Sequence, residues 1–130
     1  MKGQPRSRAI VQGDEAFGFE MVGESHYQDA LENIVGGRCE DSAKCYCAAL
    51  LSPERDNKHD RDAVAVTIRG HKVGYLSRED APSFNAALRA VGLQEAVCAA
   101  IIVGGWQRGS DRGHFGVKLD MSWPILFRDE

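Results

Sequence analysis

Phe17, Phe19 and Met21 alternate with Gly18, Glu20 and Val22 before the chain reaches Gly23. A period of two belongs to a half-buried strand, so this stretch predicts the first β-strand. The period then changes to that of a helix. Tyr27, Ala30, Leu31 and Ile34 recur three or four residues apart, between Ser25, a residue type that caps helix N-termini, and the helix-ending pair Gly36-Gly37. Cys45 to Leu51 is a compact apolar run that stops at Pro53 and predicts a buried strand, and Glu54 to Arg61 is a polar turn region. Ala63 to Ile68 is the clearest strand, and Gly70 followed by Lys72-Val73-Gly74-Tyr75-Leu76 makes it the first arm of a hairpin.

Ser77 and Asp80 have the spacing of a capping box, and Phe84, Ala87, Leu88 and Val91 then mark a second helix that Gly92 closes. Ala96 to Val103 is β-branched and apolar, and Phe115, Val117, Leu119 and Met121 alternate strictly with polar or small residues. These predict the last two strands. The glycine-rich, basic connection Gly104 to Gly113 is expected to be mobile and exposed. Six strands and two helices in this order predict a mainly β, α+β fold: a small curved sheet or barrel with helices at its ends.

At 130 residues the chain has the length of one domain. Met1–Gln12 reads as a flexible leader and 13–130 as the domain. No apolar run approaches the eighteen or so residues of a membrane span, and the leader lacks the apolar stretch of a secretory signal, which points to the cytoplasm, or the nucleoid in a bacterium. Charge changes the picture more than composition does. The net charge is −3, yet Gly13 to Glu54 holds nine acids and two bases, whereas Arg55 to Arg78 holds six bases and three acids. Arg108 to Lys118 adds three bases against one acid. If the two basic stretches fold together, an acidic protein has one face that attracts phosphate.

The Cys39, Cys45 and Cys47 spacing lacks the paired knuckles of a zinc site, so these residues and Cys98 read as free thiols, and no metal or other cofactor is expected. His59-Asp60 precedes a strand and has no second cluster to complete a metal-phosphohydrolase site. Phosphate-binding glycine motifs, nucleophile contexts and paired acid–base groups are missing as well, so the chain is not expected to be an enzyme. What remains is a set of rings and cations near loop and strand ends: His26, Tyr27, Lys58, His59, Arg61, Tyr75, Arg108, Arg112, His114 and Phe115. Rings stack on unpaired bases and cations neutralise phosphates, the division of labour found in single-strand binders. Two alternatives stay open on the residues alone. Tyr27 and Phe115 suit an apolar core equally well, and Asn57 and Asp60 suit turns that bond back to the backbone.

Three blocks carry a resemblance: Val22-Gly23-Glu24-Ser25-His26-Tyr27-Gln28, then Asn57-Lys58-His59-Asp60-Arg61-Asp62-Ala63-Val64-Ala65-Val66, then Val73-Gly74-Tyr75-Leu76 followed by a helix near Ala81. In order and spacing, from about Phe17 to Met121, the chain resembles the HIRAN domain. The resemblance implies an OB-like six-stranded β-barrel that binds DNA, known as the N-terminal module of helicase-like remodellers in replication-fork repair, where it captures a single-stranded 3′ end. Small stand-alone HIRAN proteins look similar to this chain. By the same likeness Asp60 falls on the aspartate that bonds the terminal hydroxyl, Tyr75 on a polar-aromatic position, and Phe115 on a base-stacking aromatic.

Ser25-His26-Tyr27 stands where DNA-binding members carry an arginine and two aromatics, so Ser25 removes one phosphate contact. Lys58, Arg61 or the Arg108/Arg112 connection would then supply the charge, unless the ligand differs. The sequence thus supports a DNA-binding module whose sites are His26, Tyr27, Lys58, His59, Asp60, Arg61, Tyr75, Arg108, Arg112 and Phe115. The competing reading is an adaptor that recruits a repair or nuclease protein through its acidic Gly13–Glu54 surface, including the Gly36 to Lys44 loop.

Overall fold

The computed structural model describes residues 9–128. In chain order these form β1 (Ala9–Val11), β2 (Phe19–Glu20), a 3-10 turn (Glu24–His26), α1 (Gln28–Val35), β3 (Ala43–Pro53), β4 (Val64–Ile68) and β5 (His71–Tyr75). They continue with α2 (Ala81–Ala90), β6 (Ala96–Gly104), β7 (Gln107–Arg108), β8 (Asp111–Arg112), β9 (Phe115–Leu119) and β10 (Phe127–Arg128). The six strands expected from the alternation pattern, β2 to β6 and β9, hydrogen-bond in the order β2-β9-β6-β3-β4-β5.

That sheet curls until its ends meet. Val22, two residues past β2, bridges Tyr75 at the end of β5: Val22 N–H donates to the Tyr75 carbonyl at 2.8 Å, and Tyr75 N–H donates back at 2.9 Å. The curl comes from local sequence. A bulge between Val66 and Thr67 adds twist to the β4–β5 hairpin. Arg69 and Gly70, at φ 51° and 82°, make the two-residue turn whose twist matches paired strands. Gly74 lets the ends approach, because at its φ of 153° a Cβ would strike the Met21 side chain and the Val22 carbonyl. The result is an OB-like α+β barrel.

Inward residues of the curled sheet, among them Leu51, Val66, Ile68, Val73, Ile102 and Leu119, share one core with Leu31 and Ile34 of α1 and Phe84 and Leu88 of α2. Each such side chain contributes about 1.5–3 kcal/mol through burial, so the helices are held to the barrel by these faces. Phe115 belongs to this core, at 2% exposure. Gly105, at φ 70°, passes so close beneath it that a Cβ would run into the ring. From the other direction the Arg38 guanidinium lies 4.8 Å from the ring centroid.

Four expectations change. Ala9–Val11 is a strand, paired in parallel with the start of β6 and antiparallel with β10, so the leader ends before Gln12; residues 1–8 of it lie outside the described residues. Ser25 sits inside the 3-10 turn that Gly23 opens at φ 88°, and α1 begins at Gln28 without a side-chain cap. β3 is buried only at its end: β4 pairs with it from Leu50 onward, so Ala43–Ala49 has a sheet neighbour on one side, and Tyr46 is 62% exposed. The Gly104–Gly113 connection carries the β7–β8 hairpin, fastened by the bond from Gln107 N–H to the Cys39 carbonyl at 2.7 Å.

Two predictions follow from the closure and the core. Gly74→Ala is expected to lower unfolding free energy by about 1–3 kcal/mol, read from urea denaturation; unchanged stability would show that the ends meet less tightly than described. Cys98 is buried, and burial pushes its thiol up to about 12. Alkylation at pH 8 followed by mass spectrometry is expected to label exposed Cys39 and to spare Cys98 until denaturant is added.

Candidate nucleic-acid interface

The loop from Glu54 to Ala63 joins β3 to β4, and its base extends their ladder through the bond from Glu54 N–H to the Ala63 carbonyl at 2.8 Å. Its shape is written in two side chains. Asn57 Oδ1 accepts from the His59 and Asp60 N–H groups at 2.9 and 3.1 Å, the Asx geometry that tightens a turn. Asp60 Oδ1 accepts from Asp62 N–H at 3.0 Å, and the Asp62 carbonyl is held in turn by the amide of buried Asn85 on α2 at 2.9 Å. Asn57 and Asp60 are therefore turn residues, as one of the two sequence readings has it.

Asp60 nevertheless keeps one oxygen free of that duty. Its Oδ2 lies 3.9 Å from Nε of Arg78, and its side chain is 24% exposed. Arg78 is itself 76% exposed. An ion pair that open contributes about 0–1 kcal/mol, so the guanidinium is loosely tied. Asp60, Arg78, His59 and Asn57 line a cavity of about 310 Å³ with Tyr75 of β5, over an apolar floor of Val22, Ala63 and Leu76.

Behind Tyr75 is a polar cluster. Its hydroxyl donates to Glu54 Oε1 at 2.8 Å and accepts from Lys72 Nζ at 2.9 Å, while Lys72 also bonds Glu54 Oε2. Burial alone would raise the Glu54 carboxyl, but its bonds from Lys72, Tyr75 and Asn57 outweigh burial and hold it below the ordinary carboxylate range. The bond to Glu54 raises Lys72. The bond from Lys72 draws the Tyr75 phenol down, but burial and the bond donated to Glu54 overcome this and leave it raised. All three groups thus keep their ordinary charge states at neutral pH.

Of the residues expected in the site, His59, Asp60 and Tyr75 come together in this cavity. Lys58 and Arg61 are exposed on the same loop and outside the cavity lining. His26 and Tyr27 line a separate hollow of about 290 Å³ with Ser25, Gln28, Asp29 and Ala30. The two hollows are joined by chain, since Val22 floors one and the 3-10 turn of the other begins two residues later. Gln28 and Glu24 fix that turn against β9. The Gln28 amide exchanges bonds with both backbone groups of Phe115, at 2.7 and 2.9 Å, and Glu24 Oε2 accepts from Val117 N–H at 3.2 Å.

Arg108, Arg112 and Phe115 fall elsewhere. Arg108 lies over the Trp106 ring at 5.1 Å and donates to the Glu40 carbonyl at 3.1 Å, and Arg112 pairs with Glu32 at 3.6 Å. The second basic stretch thus faces the acidic segment instead of adding to the Asp60 cavity. Phe115 offers no face for stacking, because the core and Arg38 cover it. Arg38, 6% exposed, also reaches Glu32 Oε1 at 2.9 Å and the Gly113 carbonyl at 2.7 Å.

Sequence reasoning passed over Arg78, although its position just beyond Gly74-Tyr75-Leu76, where the chain leaves the sheet, was a usable signal. Another hollow, about 450 Å³, runs along α1 among Asp29, Glu32, Asn33, Gly36 and Gly37 and suits no polyanion. Among the described residues no His, Cys, Asp and Glu side chains gather to hold a metal, and no helix is long and apolar enough to cross a membrane.

The model of the HIRAN domain matches residues 15–104, a span that includes the loop, β4, β5 and the whole lining of the Asp60 cavity. The chain finds no match among curated proteins or among solved structures. With most of its 130 residues under that match and the barrel in place, the chain belongs to the HIRAN domain family.

Proposed function

We propose that this chain is a non-catalytic DNA-binding module that takes the free 3′ end of a single strand into the Asp60 cavity, in the service of DNA repair or replication-fork processing. The observation that carries the reading is the Asp60 carboxylate, with one oxygen fixed to the loop and the other beside Arg78. A carboxylate is an acceptor, and a terminal hydroxyl is a donor. An internal phosphodiester brought within about 4 Å of it would instead be repelled by about 1–4 kcal/mol, depending on how much water remains. Asp60 therefore favours the place where a strand ends.

The neighbours divide the remaining work. Arg78 neutralises the last phosphate, the role that Ser25 leaves open. The Tyr75 and His59 rings take the terminal base, and His26 and Tyr27 on the adjoining turn meet the nucleotides before it. The setting in repair rests on likeness to the family's helicase-linked members.

Fluorescence anisotropy with 5′-labelled oligonucleotides tests both roles. Tighter binding of a free 3′ hydroxyl than of a 3′ phosphate is expected, and Asp60→Ala is expected to remove about 10–100-fold of free-end affinity, the value of a charge-assisted hydrogen bond; equal affinity of the parent protein for the two ends sinks the end-reading role. Arg78→Ala is expected to weaken both ends alike and to reduce the slope of log affinity against log salt by about 0.7, one phosphate's share for a single strand.

A further inference from the structure

The most connected polar group near the cavity is one that does not line it. Glu54 Oε1 accepts from the Tyr75 hydroxyl at 2.8 Å and from the Asn57 amide at 3.1 Å. Tyr75 is one wall of the cavity, and Asn57 shapes the other by holding the His59 and Asp60 N–H groups. A single carboxylate oxygen therefore fixes both walls. Lys72 bonds the other oxygen, Oε2, and neither Glu54 nor Lys72 is among the lining residues.

From this we infer that Glu54 is the positioning residue of the end-binding cavity, holding the Tyr75 ring and the Asp60 loop at one fixed separation. The inference rests on the end-binding reading above and deepens it. The hydroxyl of Tyr75 is engaged by Glu54 and Lys72, so the ring is held by its far end and presents its carbon framework to the ligand. The Asn57 side chain is engaged on both sides as well, its amide by Glu54 and its oxygen by the loop. What the cavity keeps available is one oxygen of Asp60, the Arg78 guanidinium and two rings, and the distance between them depends on Glu54.

The inference predicts a sign opposite to that of simple electrostatics. A carboxylate near a polyanion site repels the ligand, so its neutralisation alone should tighten binding to every DNA end. If Glu54 positions the walls, Glu54→Gln loses the charged acceptor for three partners, and free-end affinity is expected to fall about tenfold while blocked-end affinity stays within about twofold. Lys72→Met leaves the Tyr75–Glu54 and Asn57–Glu54 bonds in place, so it is expected to keep the free-to-blocked ratio within about twofold of the parent, whatever it does to the melting temperature. Tyr75→Phe keeps the ring and removes its tether, so it is expected to lower the ratio in the direction of Glu54→Gln, and it serves should that variant fail to fold.

The experiment is anisotropy titration of the full chain and the three variants with one oligonucleotide bearing a 3′ hydroxyl or a 3′ phosphate, alongside thermal melts. The expected result is a ratio that collapses in Glu54→Gln and Tyr75→Phe and survives in Lys72→Met. Three outcomes overturn the role of Glu54: a ratio retained in Glu54→Gln, tighter binding of both ends in that variant, or equal loss in Lys72→Met and Glu54→Gln tracking their melting temperatures. A parent protein that does not distinguish the ends overturns the end-binding reading itself, and the positioning role with it.

Discussion

The pair of backbone bonds between Val22 and Tyr75 closes a sheet whose other contacts leave it open, and the same few residues build the cavity. Val22 floors it, Tyr75 walls it, and Arg78 leaves β5 three residues later. Gly23 starts the turn that carries His26 and Tyr27. Any separation of β2 from β5 would therefore dismantle fold closure and cavity together. This explains why Gly74 cannot carry a side chain: the approach that shuts the barrel leaves no room for a Cβ.

A second constraint acts on charge. Two carboxylates of the acidic N-terminal half are engaged within the fold. Glu32 pairs with Arg38 and Arg112, and Glu24 accepts a backbone bond from β9. Neither carboxylate lines the Asp60 cavity. The net charge of −3 is thus a poor guide to the field at the site, where Arg78 is exposed and Lys58 and Arg61 stand on the same loop as Asp60.

Periodicity read the barrel well and its surroundings less well, for a physical reason. The six strands of the curl, the β4–β5 hairpin and both helices were legible because each depends on spacing within a dozen residues. The Asp60 cavity was half legible: His59, Asp60 and Tyr75 sit in blocks that local pattern and family likeness both single out, while Arg78 was missed. Phe115 was misplaced because alternation with Gly116 and Lys118 says only that it shares a face with Val117 and Leu119; it does not say whether that face looks inward. The answer came from Arg38 and Gly105, ten and more residues away in sequence. β1 was hidden for a similar reason, since three residues carry no period and its partners lie in β6 and β10.

Asp60 shows why the structural and the functional reading of such a residue are not rivals. A carboxylate has two oxygens, and the loop needs only one to hold Asp62 N–H. Fixing that oxygen removes rotational freedom from the side chain, so the second is aimed before any ligand arrives, and less entropy is lost on binding than with a freely turning acid. Glu54 divides its oxygens in a similar way one layer back: Oε2 takes Lys72, and Oε1 accepts from Tyr75 and Asn57. The turn geometry that suits a purely structural loop is thus also the means by which a small barrel, without deep burial, holds a carboxylate oxygen still at the cavity wall.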